Sequence, residues 1–305
     1  MNFFGLNKGK NKGGSEKARE VKSIQEERKN LLSPKSDFFI REAYKTLRTN
    51  VSFSLTDNDG CKVIVVTSSL QGEGKSITAA NLAISYAMTD RKVLLIDCDL
   101  RRPKLARLMQ INGKVGLSNV IMQPRLLEKA TISTSIRGLD IILSGDIPPN
   151  PSELLGSPRM QRLLETLRAS YDFIILDSPP VNMVTDAVVL APESDGVLFL
   201  VRAGHSERGA VLHAVEQLEY AKAKILGFVL NDVDMEKTHY GYKKYRYSRY
   251  FRYGKRYGYD KYGYNGYGGY GGYGRRGYGY GYGYSSSVPQ HFTEMPREEQ
   301  ETDEV

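Results

Sequence analysis

At 305 residues the chain has room for one large or two modest domains, and its formal net charge of +8 would point to nucleic acid or membrane if it covered one folded face. It does not: residues 240–284 hold ten Lys/Arg against one Asp, residues 285–305 hold six acids against one Arg, and only +4 remains before Tyr240. Cys61 and Cys98 lack a CxxC or histidine partner, which excludes a disulfide framework and a Cys/His metal site. No apolar run approaches the roughly 20 residues needed to cross a bilayer, and the N-terminus lacks the apolar stretch of a signal peptide. The expectation is a cytoplasmic chain that meets the inner face of a membrane only through a partner.

Residues 1–36 are rich in Lys, Glu, Asn and Ser and bury too little apolar surface to offset ordering entropy, so they read as a flexible arm with a helix near Glu16–Leu32. In Asp37–Ser54, Phe39, Ala43, Tyr44, Leu47 and Val51 recur at helical spacing, with Glu42, Lys45 and Arg48 on another face. Short apolar runs follow at Val63–Thr67, Val93–Ile96, Leu139–Leu143, Phe173–Leu176, Gly196–Val201 and Ile225–Leu230. Their near-continuous apolar character predicts strands buried on both faces. Helices are predicted after the first strand, where Ala80, Ala83, Ile84 and Ala87 share a face, and over Pro158–Ser170, Thr185–Ala191 and Arg208–Lys222. The pattern predicts a doubly wound, mostly parallel α/β sheet, with the domain assigned to residues 37–236.

Three strand ends carry chemistry. After Val63–Thr67 comes SSLQGEGKS, residues 68–76, and then a helix. Glycines let backbone amides wrap a phosphate chain, Lys75 adds a point charge, and the Ser76 hydroxyl suits Mg²⁺. Ser69 stands where the usual pattern has its first glycine. LLIDCDLRR puts Asp97, Asp99 and Arg101 at the end of a second strand, and IILDSPP puts Asp177 at a third. In an open parallel sheet, ligands sit at this edge. Carboxylates there can hold a metal or accept a proton from an attacking hydroxyl.

Together SSLQGEGKS, LLIDCDLRRP and IILDSPP resemble the Walker A, A′ and B motifs of the bacterial protein-tyrosine kinases that accompany capsule and exopolysaccharide synthesis. GLSNV (116–120) and PPNPSELL (148–155) extend the resemblance from about Phe39 to Asp234. It implies ATP and Mg²⁺ as cofactors. Gly72, Glu73, Gly74, Lys75, Ser76 and Ile77 become the phosphate contacts, and Ser76, Asp97 and Asp177 the metal positions. Lys75, Asp97, Asp99 and Arg101 become the catalytic set, with Asp97 as base, and Asn231 the adenine contact. It also implies a membrane-anchored, polysaccharide co-polymerase-type activator on a separate polypeptide, and a homo-oligomer formed through the Glu42/Lys45/Arg48 helix. That helix departs from the family's E-x2-R-x2-R pattern, because lysine at 45 keeps the charge without the bidentate fork.

Residues 240–284 contain 17 of the 21 tyrosines, interleaved with 14 glycines, a composition that builds no packed core. A coil of this length spans about 37 Å, comparable to the roughly 40 Å width of a 200-residue domain, so its hydroxyls can reach its own or a neighbour's site. The expectation is a phosphoacceptor cluster over 237–284, followed by an acidic end at 285–305. Each phosphate adds about −1.5 to −2, so five or six would cancel the local charge. Two other readings stay open. Arg/Tyr interleaving can stack on single-stranded nucleic acid or self-associate, although nucleic acid is not an expected partner of the kinase. A partition-type P-loop ATPase is the third reading, and Leu70 argues against it, since those relatives usually carry lysine there.

Overall fold

A computed structural model describes residues 28–55 and 60–233. The phosphoacceptor cluster, the acidic end and the expected N-terminal helix lie outside the described residues, apart from Arg28–Leu32 of that helix. The elements in chain order are α1 (Phe38–Ser54), β1 (Lys62–Ser68), α2 (Lys75–Ala87), β2 (Val93–Asp97), α3 (Leu105–Met109) and α4 (Leu117–Met122). Then follow α5 (Leu127–Ala130), β3 (Thr131–Ser133), β4 (Leu139–Ile142), α6 (Pro151–Leu155), α7 (Pro158–Arg168) and β5 (Phe173–Asp177). The last are α8 (Asp186–Leu190), β6 (Gly196–Arg202), α9 (Arg208–Tyr220) and β7 (Ile225–Asn231).

The seven strands lie in the order β3-β4-β2-β5-β1-β6-β7. All pairings are parallel except β3 with β4. Successive side chains of a strand point to opposite faces, and here both faces are covered. Val63, Val65, Leu94, Ile96, Ile174 and Leu176 pack against α4, α7, α8 and α9. Ile64, Val66, Leu95 and Ile175 pack against α1, α2 and α3. This double burial is why the strands read as unbroken apolar runs.

The six strands expected from the sequence are present, each within one residue at either end. The antiparallel edge strand β3 was not anticipated: it has three residues, none buried, so neither length nor alternation marks it. The expected arm boundary at residue 36 shifts as well. Leu32 is buried, its N–H donates to Asn81 Oδ1 (2.7 Å), and Asn81 Nδ2 donates to Asn30 O (2.9 Å). One leucine and two amide hydrogen bonds therefore tie this short stretch to α2, a contact that bulk composition could not reveal.

On α1 the three expected interface residues divide. Glu42 and Lys45 pair with each other (2.6 Å) on the exposed face, whereas the Arg48 guanidinium donates to the Ser85 carbonyl and to Ser85 Oγ (3.3 Å) on α2. Arg48 thus helps seat the helix.

Candidate active site

The sheet brings the three motifs to one edge. β1 lies between β5 and β6, β2 flanks β5, and Asp97 and Asp177 are register partners at the ends of their strands. Both fall on the face covered by α2, the helix that opens at Lys75.

The loop before α2 is shaped for an anion. Gly72 and Gly74 adopt positive φ (79° and 91°), a conformation only glycine takes without strain. The first bond of α2 runs from Thr78 N–H to Gly74 O (3.0 Å), so the N–H groups of Lys75, Ser76 and Ile77 have no intrahelical acceptor. Such a terminus attracts phosphate. The Lys75 ammonium folds over the loop, donating to Ser68 Oγ (3.1 Å) and Leu70 O (3.3 Å). Burial lowers its pKa, while the charges of Asp177, Glu73 and Asp99 work the other way.

The carboxylates are unequal. Asp97 is fully buried and accepts from Asp99 N–H and Leu105 N–H (both 3.2 Å). Burial first, and Asp177 second, hold its pKa well above the usual carboxylate range. Asp177 is equally buried, yet among the described residues neither of its oxygens has a hydrogen-bond partner of ordinary geometry. Burial raises its pKa to about 7, opposed by the nearby Ser76 hydroxyl and Lys75 ammonium. Asp99 is half-buried and caps the turn after β2, accepting from Arg102 N–H (2.9 Å).

The structure employs three expected residues in ways their positions in sequence did not show. Glu73 is fully buried, and its carboxylate accepts from Leu70 N–H (2.7 Å), Ser69 Oγ (3.0 Å) and Ser206 Oγ. Burial alone would raise its pKa, but these bonds outweigh it and the pKa falls. Asn231 Nδ2 donates to Glu73 O (3.0 Å), so the end of β7 also grips the loop. The Arg101 guanidinium forms a fork with buried Asp186 (3.0 and 3.1 Å) and donates to Ser152 Oγ (3.0 Å). It is engaged by α6 and α8 and braces the turn that carries Asp97.

Sequence reasoning missed the loop between β6 and α9. Arg202 Nη1 donates to Gly72 O (2.9 Å), His205 Nε2 lies 3.2 Å from Gln71 O, and Ser206 reaches Glu73. These partners are about 130 positions apart, and no local motif links them. It also missed Lys104, whose charge acts on both Lys75 and Asp177. Its position just after the LLIDCDLRRP motif was the available signal.

Neither oxygen of Asp177 is satisfied, a hydroxyl lies beside it, and Asp97 is next in register, so the donors here are hard oxygens. They fit Mg²⁺, which takes one or two protein groups and completes its shell with water and phosphate. Among the described residues no three acidic, His or Cys side chains form a complete cage.

Residues 61–226 match the family model described as the AAA domain. The tyrosine-protein kinase YwqD of Bacillus subtilis is 39% identical over 213 residues, covering 70% of this chain and 89% of that protein. The putative tyrosine-protein kinase EpsB of Ralstonia nicotianae is 38% identical over 68% of this chain, which spans only 28% of that longer protein. The crystal structure of the chimerical protein CapA2B2 matches with a TM-score of 0.62 and 38% identity, covering 66% of this chain and 87% of that one. The chain is therefore a member of the bacterial P-loop tyrosine-protein kinase family.

Proposed function

We propose that the chain binds Mg·ATP on the Gly72–Ile77 loop and transfers the γ-phosphoryl group to tyrosines of its own 240–284 segment, in the service of capsule or exopolysaccharide synthesis. The observation that carries the reading is the meeting of Lys75, Ser76, Asp97 and Asp177 at one sheet edge, with Asp177 buried and unsatisfied.

In this reading the amides of 72–77 hold the β- and γ-phosphates and Lys75 draws charge from the outer oxygens. Ser76 and Asp177, with Asp97, would hold Mg²⁺, which would supply positive charge to offset that of the phosphate groups. Asp97 accepts the phenol proton as the tyrosine oxygen bonds to the γ-phosphorus and the bond to the ADP oxygen breaks. A buried carboxylate of raised proton affinity suits this work. Asp99 and Arg101 position the turn that presents Asp97. Asn231 steadies the loop from the side on which the adenine is expected.

The proposed organisation is a kinase domain over 37–236, to which Asn30–Leu32 of the preceding arm are tied, a phosphoacceptor segment over 237–284 and an acidic end over 285–305. A membrane-anchored activator on a separate polypeptide is proposed on the strength of the family resemblance. Among the described residues no helix is long and apolar enough to cross a membrane; the proposal assigns membrane contact to that partner. Self-assembly is assigned to α1, where the exposed Glu42–Lys45 pair remains available.

Incubating the full chain with Mg·ATP and mapping phosphotyrosine by mass spectrometry tests the reading. Phosphate on residues 240–284 of the wild type, absent from Lys75→Met, is expected. Hydrolysis without phosphotyrosine would instead favour a partition-type ATPase.

A further inference from the structure

A second concavity lies on the other layer of the sheet. It is a groove of about 710 Å³ beside the segment that follows β4, walled by α4, α6 and the first turn of α7. These helices pack against the β-face opposite the one that carries α2, so the groove is separate from the phosphate loop while Arg101 connects its wall to the turn after β2 through Ser152.

Its chemistry is divided. Met122, Pro148 and Pro149 supply apolar walls, and Met122 is largely exposed although apolar. Arg159 and Arg162 stand three residues apart on α7 and so share a face. Among the described residues neither has a carboxylate partner; the Arg159 guanidinium contacts Met122 Sδ at 3.9 Å. Asp146 and Glu153 also line the groove, but each accepts from an asparagine amide, Asn119 (2.7 Å) and Asn150 (2.8 Å). At its base Ser118 is 4% exposed, and among the described residues its hydroxyl has no hydrogen-bond partner. A buried hydroxyl is rarely left so without a ligand or water to receive it.

Two unpaired guanidiniums beside an apolar wall fit a group that is dianionic at one end and flat and apolar behind it. Phosphotyrosine has that form, and Arg pairs are the usual means of gripping its phosphate. The two carboxylates match the flanking peptide, since residues 240–284 carry ten Lys/Arg against one Asp.

We propose that this groove docks a phosphotyrosine of the 240–284 segment, from the same chain or a second copy. Arg159 and Arg162 hold the phosphate, Met122, Pro148 and Pro149 lie against the ring, and Asp146 and Glu153 face the peptide's basic residues. The proposal rests on the reading that this segment is phosphorylated. A captured phosphotyrosine would keep the modified segment at the same sheet edge as the active site, so that product occupancy governs further rounds of transfer.

The test is a titration of full-length, phosphatase-treated wild-type protein with a fluorescent synthetic peptide of residues 273–280, with and without phosphate on Tyr278. The phosphorylated peptide should bind about tenfold or more tightly than the plain one. Arg159→Gln combined with Arg162→Gln should remove that difference, with an unchanged melting temperature because both side chains are exposed. Free phosphotyrosine should compete at concentrations where inorganic phosphate does not. Equal affinity for the two peptides, a difference that survives the double substitution, or equal competition by inorganic phosphate would overturn the proposal. Because the peptide is phosphorylated synthetically, the result does not depend on the kinase reading, which fails separately if wild-type protein acquires no phosphotyrosine from Mg·ATP.

Discussion

Asp97 and Asp177 are register partners at the ends of adjacent parallel strands, both buried, and only Asp97 is hydrogen-bonded. Burial disfavours the charged form of each, and the Asp177 charge adds to the rise at Asp97, so both pKa values lie above the usual carboxylate range. The sign for stability follows. The folded pKa of Asp177 is about 7 against an ordinary 3.8, so the folded state keeps a proton that the unfolded state releases. Its stabilising contribution is complete below the unfolded pKa and is lost as pH rises through the folded one. Asp177→Asn removes this dependence. In ligand-free protein, its stability relative to wild type should grow by about 2 to 3 kcal/mol from about pH 5 to about pH 7.5, read by urea titration. The same variant should lose about a hundredfold or more in kinase rate. A stability difference that does not change between these two pH values would contradict the origin given for the shift.

The Glu73 carboxylate supports the loop from inside. Glu73→Gln keeps the shape but surrenders the charge-assisted bonds from Leu70, Ser69 and Ser206. The expected outcome is an ATP KM raised about tenfold, with kcat changed less, because the loop must be ordered before it can bind. Ser206→Ala should move KM in the same direction by a smaller factor. The depressed Glu73 pKa sets the pH behaviour: support is present above the unfolded pKa and lost only as pH falls through the lower folded value. The KM ratio between variant and wild type should therefore stay flat from about pH 6 to about pH 8; a ratio that collapses within this window would assign the effect elsewhere.

Arg101 and Asp186 make the other buried polar connection. Asp186 has no exposed surface, and its partners are the Arg101 fork and Ser152. Arg101→Ala leaves a buried charge with a single hydroxyl, which is expected to destabilise the fold by about 3 kcal/mol. Asp186→Asn added to Arg101→Ala should recover part of this, since the stranded charge is gone. Arg101→Lys keeps the charge without the fork and should fall between wild type and Arg101→Ala in melting temperature. A direct phosphate contact by Arg101 would instead appear as lost activity at unchanged stability, so the two measurements separate positioning from contact.

Much of the scaffold was legible because the sheet is buried on both sides. Val63–Val66, Leu94–Ile96 and Ile174–Leu176 are unbroken apolar runs; the second and third end directly at Asp97 and Asp177, and the first leads into the loop that carries Lys75. The site was legible for the same reason: Lys75, Asp97 and Asp177 are marked by the strands before them. Glu73, Arg202 and Ser206 could not be assigned in this way. Their partnership depends on β6 lying beside β1, a long-range pairing that no window of sequence contains. The short helices α3, α4 and α6 have five or six residues, fewer than two turns, too few for periodicity to register.

Gly74 joins local and long-range structure most directly. Its φ of 91° lies in the region L side chains avoid, and a Cβ there would fall 2.1 Å from Asn231 Nδ2. Two separable penalties act on Gly74→Ala: backbone strain of about 1 kcal/mol or more, and expulsion of the Asn231 amide from the Glu73 carbonyl. Asn231→Ala relieves only the second. Gly74→Ala should lower nucleotide affinity by about tenfold or more, and Gly74→Ala/Asn231→Ala should restore part of that loss, giving a non-additive cycle. Isothermal titration with a non-hydrolysable ATP analogue measures all four corners. If the two substitutions simply add, the Asn231 amide does not press on the loop, and the grip of β7 on the phosphate site would have to be withdrawn.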